Sequence, residues 1–252
     1  MDSVNAQFNS TLMKHVTQQE SSISKRQTKG GDYVIDANGD LNITVIEYEK
    51  KKSRKYEEYE EDEDTDDADQ QPPQPVNSAT FKVKREIVTS NFPVLRAMLS
   101  SGFQESHSTA VTIRDDSIQA MEILFQISHG CLDIGTYEAD IEELWNLAAA
   151  IDKYDFDIKK VRNWYRDWYI RRENELDQPK KMTRFQVYQR LLFPTLTFDY
   201  ARAFLKITRY LAYHGAGHIT EFNPSRHRRL HLRPRIMRMF GIPLIPLAAY
   251  SV

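Results

Sequence analysis

One cysteine, Cys131, serves all 252 residues. A lone thiol excludes an internal disulfide and a thiolate metal cage, so a reducing compartment, nuclear or cytoplasmic, is expected. Long apolar runs are missing too. No stretch approaches the ~20 residues a membrane-spanning helix requires, and Pro243 and Pro246 break the apolar tail 239–252. The polar amino terminus has no apolar h-region, so neither a secretory signal nor a membrane partner is expected. Catalytic signatures are lacking as well. The strings G-x-x-x-x-G-K, G-x-S-x-G and H-E-x-x-H do not occur, which removes phosphate-loop, nucleophile-elbow and zincin chemistry. The expectation is a non-enzyme with no cofactor.

What is present suffices for a core: 40% of residues are hydrophobic and 11% aromatic. The length fits one large domain, or one of about 100–150 residues with a helical extension. The net charge of −2 hides a strong segregation. Residues 1–156 carry 15 Lys/Arg against 29 Asp/Glu, whereas residues 157–252 carry 19 against 7.

Residues 1–31, rich in Gln, Ser, Asn and Lys, read as a disordered arm. After the turn formers Asn38-Gly39-Asp40, the run 41–48 has strand character. A charge-dense insert follows over 50–78. Lys50–Lys55 is five-sixths basic, 57–69 holds ten acidic residues in thirteen, and 70–75 is a Pro/Gln linker. Such a block repels itself and is expected to be a flexible loop inside a hairpin, since loop closure costs grow only logarithmically with length. Ala79–Val83 is the return strand. Ile87 to Leu99 suggests two short helical turns split by Pro93, and Ala110–Ile113 a third strand. Asp116 or Ser117 caps a helix that stops at Gly130, and Asp140 with Glu143 has the form of a capping box. The helix it opens carries Ile141, Leu144, Trp145, Ala148 and Ile151 at helical spacing, and the next carries Ile158, Val161, Tyr165 and Trp168. Further helices are expected over 185–192 and 198–213, with Pro179 and Pro194 as punctuation.

The order strand, strand, helical turns, strand, helices comes with specific strings. These are Phe81-Lys82-Val83-Lys84 and Ser90-Asn91-Phe92-Pro93-Val94-Leu95-Arg96-Ala97-Met98-Leu99, then Ser101-Gly102-Phe103-Gln104-Glu105-Ser106. Val111-Thr112-Ile113-Arg114-Asp115-Asp116, Ile127-Ser128-His129-Gly130 and Ala150-Ile151-Asp152-Lys153-Tyr154 complete the series. In this order and spacing they resemble a BTB/POZ domain, in the version common in filamentous fungi, over residues 32–172. The resemblance implies an α/β (α+β) fold, a small three-stranded sheet covered by helices, with an all-helical extension and basic tail over 173–252. The family's first two strands are normally joined by a short turn, where this chain carries its acidic insert. The resemblance further implies a protein–protein interaction module that self-associates as a homodimer or recruits protein partners. In family members that act as adaptors for a cullin-type ubiquitin ligase, a hydrophobic-x-Glu element makes the contact, and Phe103-Gln104-Glu105 matches it. Phe103 would fill a pocket while the Glu105 carboxylate sets register at its rim.

Four other features admit a functional reading beside a structural one. His214, His218, His227 and His231 have i, i+4 spacings suited to a metal, but two glycines and the neighbouring arginines argue against one. Arg226–Arg238 holds six arginines in thirteen residues, which supports the alternative of a nuclear, nucleic-acid-associated regulator. Nucleic acid is disfavoured because aromatic interleaving is missing there. Cys131 reads as a small buried hydrophobe, and Trp164, Tyr165, Trp168 and Tyr169 read as core or interface packing rather than an aromatic cage.

Overall fold

Alternation of apolar and polar side chains, with β-branched residues prominent, makes 41–48 extended and one-sided. In a computed structural model, which describes residues 31–48, 74–100, 108–215, 222–224, 230 and 232, it forms β2 (Leu41–Tyr48). This strand lies inside a four-stranded sheet with β1 (Asp32–Val34), β3 (Pro75–Val83) and β4 (Ala110–Arg114), in the order β1-β3-β2-β4. Strands β2 and β3 are antiparallel, whereas β1 runs parallel to β3 and β4 parallel to β2. The register places Ile43 between Phe81 and Val111, and Val45 between Ala79 and Ile113, all buried on one face.

Two expectations about the sheet need correction. The sheet has four strands, because Asp32–Val34 pairs along the outer edge of β3 and Tyr33 stacks on Phe81 with centroids 4.8 Å apart. Three residues are too short to leave a periodic signal. The return strand starts at Pro75, so residues 75–78 belong to it and not to the insert. The turn 36–40 is tight. Asp36 Oδ1 accepts from the Asn38 amide at 2.8 Å, and a Cβ on Gly39 would lie 2.8 Å from the Val83 carbonyl oxygen. Residues 1–30 and 49–73 lie outside the described residues.

Helices cover the apolar face of the sheet. Two short ones, α1 (Arg85–Asn91) and α2 (Pro93–Ser100), meet at Phe92, and Pro93 takes the first-turn position that suits it. Next comes α3 (Ile118–His129), with Ser117 accepting from the Ala120 amide at one end and Gly130 left-handed at φ 67° at the other. Phe125 of α3 packs on Phe81 of the sheet (5.3 Å) and on Phe92 (5.6 Å). A 3₁₀ turn at Ile134–Glu138 leads to α4 (Ile141–Tyr154) and α5 (Ile158–Asp177). Asp140 caps α4 through the Glu143 amide, but the box is one-sided. The Glu143 carboxylate turns to Ser117 and Asn146 instead of the Asp140 amide.

The boundary expected near 172 falls inside α5, and two further helices, α6 (Arg184–Thr197) and α7 (Ala201–His214), continue the same core. Trp164, Tyr165, Trp168 and Tyr169 are all buried; Trp164 Nε1 donates to Thr136 Oγ1 (3.1 Å) and Trp168 Nε1 to the Ala139 carbonyl (2.8 Å). Pro194 does not punctuate the chain but sits within α6. A proline there has no amide for the carbonyl four residues back, which is Arg190. That carbonyl accepts instead from Trp145 Nε1 of α4 at 3.0 Å, and the same indole stacks on Phe193 at 4.7 Å. Beside it, Thr195 Oγ1 donates to the Leu191 carbonyl (2.6 Å), leaving it to accept from the buried Tyr165 hydroxyl (2.7 Å).

This arrangement gives a double-mutant test. Trp145→Phe keeps an aromatic ring but removes the indole N–H and strands the Arg190 carbonyl, and the lost bond is expected to cost about 1–3 kcal/mol. In a Pro194→Ala background the restored amide satisfies that carbonyl, so the same substitution should cost measurably less. Urea unfolding of the four proteins reads the coupling; equal costs in both backgrounds would refute it.

Candidate interaction surface

The two residues singled out from the sequence, Phe103 and Glu105, lie in 101–107, outside the described residues. Both ends of this connection are described, and one side chain grips them. Arg85, the first residue of α1, donates from its guanidinium to the carbonyls of Leu99 (3.5 Å) and Ser108. Arg85 is itself placed by Asp40, whose carboxylate accepts from the Arg85 amide (2.7 Å) and from Lys84 Nζ (2.9 Å). Those two hydrogen bonds hold the Asp40 carboxyl below its ordinary range. A residue from the turn before β2 therefore caps α1, which has no cap of its own at Lys84. The last turns of α2 present Val94 and Ala97 exposed and Met98 half-buried, at i, i+3, i+4 spacing, leading into the connection.

The other motif residues sit at joints of the same unit. Asp116 is 5% exposed; one oxygen accepts from Tyr154 Oη (2.6 Å) and Lys153 Nζ (2.8 Å). The Asp-Asp string before α3 is thus clasped by the Lys-Tyr end of α4. Burial, then the hydrogen bond to Asp116, pushes the Tyr154 phenol far up, so it stays a donor. Asp115 takes a positive φ of 59° to reach this position. At the far end of α3, His129 Nε2 accepts from the Lys84 amide (3.1 Å) while Nδ1 faces the Phe125 carbonyl (2.8 Å), tying α3 to the end of β3. Burial of Glu143 raises its carboxyl, against the opposing hydrogen bonds from Ser117 and Asn146.

The remaining candidates resolve differently. Cys131 is exposed, not buried: Gly130 turns the chain out of α3, leaving Sγ 3.7 Å from the Ile35 carbonyl oxygen with one open side. His214 stacks on Tyr210 at 3.9 Å and its Nδ1 faces the Tyr210 carbonyl (2.9 Å), while His218, His227 and His231 lie outside the described residues. Among the described residues no group of three His, Cys, Asp or Glu is placed to hold a metal. Lys50–Lys55, the acidic run 57–69 and nearly all of Arg226–Arg238 also lie outside them. No described helix is long and apolar enough to cross a membrane.

Sequence reasoning missed a cationic, partly aromatic concavity of about 620 Å³ on α7, lined among others by Arg202, Leu205, Lys206, Arg209, Tyr210 and Tyr213. Two of its lining residues, Arg184 and Lys206, belong to a network. Asp177 at the end of α5 accepts from Lys206 Nζ (2.7 Å) and Tyr188 Oη and pairs with Arg184 (3.2 Å), and Lys206 also reaches Glu173 (2.8 Å). The signal available was the absence of any acidic residue over 200–220, but only the fold shows which of these cations share a face.

Partial burial of Asp177 works to raise its carboxyl, but the hydrogen bonds from Lys206 and Tyr188 and the charges of Lys206 and Arg184 prevail and lower it. A lowered acid binds protons less tightly folded than unfolded. Its stabilisation is therefore present above the ordinary carboxylate range near 4 and lost as pH falls through the lowered value. Asp177→Asn should cost on the order of 1 kcal/mol at neutral pH, and the gap to wild type should close on acidification. Denaturant titrations across pH check this; a gap that widens in acid would contradict the assignment.

No protein-family model matches the chain, and no curated protein is significantly similar to it.

Proposed function

We propose that this chain is a protein-interaction module of the BTB/POZ type, which captures a partner through the connection between α2 and β4. The observation that carries the reading is the Arg85 bridge to Leu99 and Ser108. It holds both stems of the segment bearing Phe103 and Glu105, so the ordering cost of docking that segment is partly met before a partner arrives. The apolar row Val94, Ala97 and Met98 beside it supplies a surface that an incoming chain would dehydrate. Further support comes from the motif residues, which occupy structural joints: Asp116 on Lys153 and Tyr154, and His129 on Lys84. The family reading rests on those strings and on their order along the chain.

The narrower proposal is that the partner is a cullin-type ubiquitin ligase, with Phe103 as the buried anchor and Glu105 as the rim carboxylate. Alanine at a central anchor ordinarily costs 2 kcal/mol or more, roughly a thirtyfold loss of affinity, whereas rim charges cost less. A pull-down of cullin with full-length wild type, Phe103→Ala and Glu105→Ala is expected to show strong recovery, near-complete loss and partial loss, in that order. Equal recovery by all three would dismiss the contact. No recovery by wild type would dismiss the ligase as partner, and light scattering would then test self-association of the module.

A further inference from the structure

Helix α7 is bound to the core by one side only. Ala203, Ile207 and Leu211 are buried, while Arg202, Leu205, Arg209 and Tyr213 follow one another along the outer face at three- and four-residue spacing. Leu205 is 68% exposed and Tyr213 64%, an unusual load of open apolar surface for one helical row. The row is also cationic without local compensation. α7 contains no acidic residue, and the carboxylates beneath it, Glu173 and Asp177, are already engaged by Lys206 and Arg184. Arg202 and Arg209 make no ion pair among the described residues, and Arg209 lies over the Tyr213 ring at 6.0 Å. The face offers two guanidinium forks, an aliphatic knob and a ring along about 16 Å of helix. A ligand that matches it is an acidic peptide containing aromatic residues, since arginine favours both carboxylates and ring faces.

The sequence contains such a peptide. Residues 56–69, Tyr-Glu-Glu-Tyr-Glu-Glu-Asp-Glu-Asp-Thr-Asp-Asp-Ala-Asp, hold ten carboxylates and two tyrosines, Tyr56 and Tyr59. About five extended residues span the distance from Arg202 to Tyr213. We propose that the outer face of α7 docks the acidic segment 56–69 of a second copy of this chain. Because face and segment are different surfaces, the contact closes as a dimer where two copies exchange segments and extends from copy to copy where each copy takes a new partner. It is independent of the BTB/POZ reading, which assigns α2 and the following connection and rests on apolar contact.

Sedimentation velocity on nuclease-treated full-length protein tests it. At about 50 mM salt wild type should form a concentration-dependent, salt-sensitive series that begins at the dimer, and at about 500 mM that series should collapse, because exposed charges are screened over a few ångströms. A face variant, Arg202→Glu with Arg209→Glu, and a segment variant, with the ten Asp/Glu of 57–69 changed to Asn/Gln, should each lose the series. Both alter exposed or acidic-run positions, and circular dichroism verifies that each is folded. Mixed together, the two variants should form a one-to-one complex and stop there, since one keeps the segment and the other the face. A salt-insensitive dimer that survives in both variants belongs to the other surface and does not count toward the series. The proposal fails if wild type shows no salt-sensitive series, if that series persists in the face variant, or if the mixture gives no complex. It also fails if the face retains a DNA oligonucleotide while wild type shows no series of its own, which would assign the face to nucleic acid.

Discussion

One carbonyl that lacks its helical donor organises the carboxyl-terminal half of the molecule. Pro194 deprives the Arg190 carbonyl of its helical donor, and burial makes an unpaired carbonyl costly. The Trp145 indole meets that need from another helix, and its stacking on Phe193 fixes the ring at the correct angle. The position of α6 against α4 is thereby specified by a directional bond, not by apolar contact alone. Helix α7 packs on α6, so the orientation of its outer face follows from the same bond. The helices after residue 172 are consequently part of the main core: Tyr165 of α5 meets Thr195 and Phe198, and Leu191, Leu192, Ile207 and Leu211 are buried with the residues of the sheet unit.

In the sheet unit the same role falls to carboxylates acting far from their own place in sequence. Asp40 caps α1 across 45 residues, and Asp116 receives Lys153 and Tyr154 across 37 and 38. Each is a charge-assisted bond that joins two elements far apart in sequence. Such bonds define the relative position of elements more strictly than apolar contact does, which explains how short helices of seven and eight residues hold their place on the sheet.

Local signals in the sequence were accurate where the chemistry is local. Alternation gave Leu41–Tyr48, Ser117 and Gly130 bracketed α3, and the 3.6-residue stripe gave the inward faces of α4 and α5. Failures occurred where a distant partner decides. Strand β1 exists because β3 offers it an edge. Pro194 is tolerated because Trp145 replaces the lost donor, and Glu143 leaves its expected capping bond for Ser117 of another element. Residue type alone points to a buried Cys131, whereas the chain leaves α3 through the left-handed Gly130 and the side chain is exposed. The cationic face was legible as charge composition but not as a face, since that depends on which side of α7 the core covers. Phe103 and Glu105 were found by resemblance alone, and the described residues contribute the Arg85 frame around them.

The charge segregation acquires a physical meaning from this geometry. Had the basic half merely balanced the acidic one, its cations would be expected to pair within the fold, as Lys206 and Arg184 do with Glu173 and Asp177. Arg202 and Arg209 instead stand in line with exposed Leu205 and Tyr213. Solvating a helix calls for charge but not for open apolar side chains between the charges, and these raise the free energy of the isolated molecule. Conversely, a nonspecific polyanion site has no use for an aliphatic knob at the centre of its arginine row. The combination is best matched by a peptide that brings carboxylates and rings together, and attraction of that kind weakens with salt, whereas the apolar capture proposed at Val94, Ala97 and Met98 would not. Two surfaces that share no residue and answer to different solvent variables would be loaded independently, so under both proposals one copy could hold a partner at α2 while linked through α7 to another.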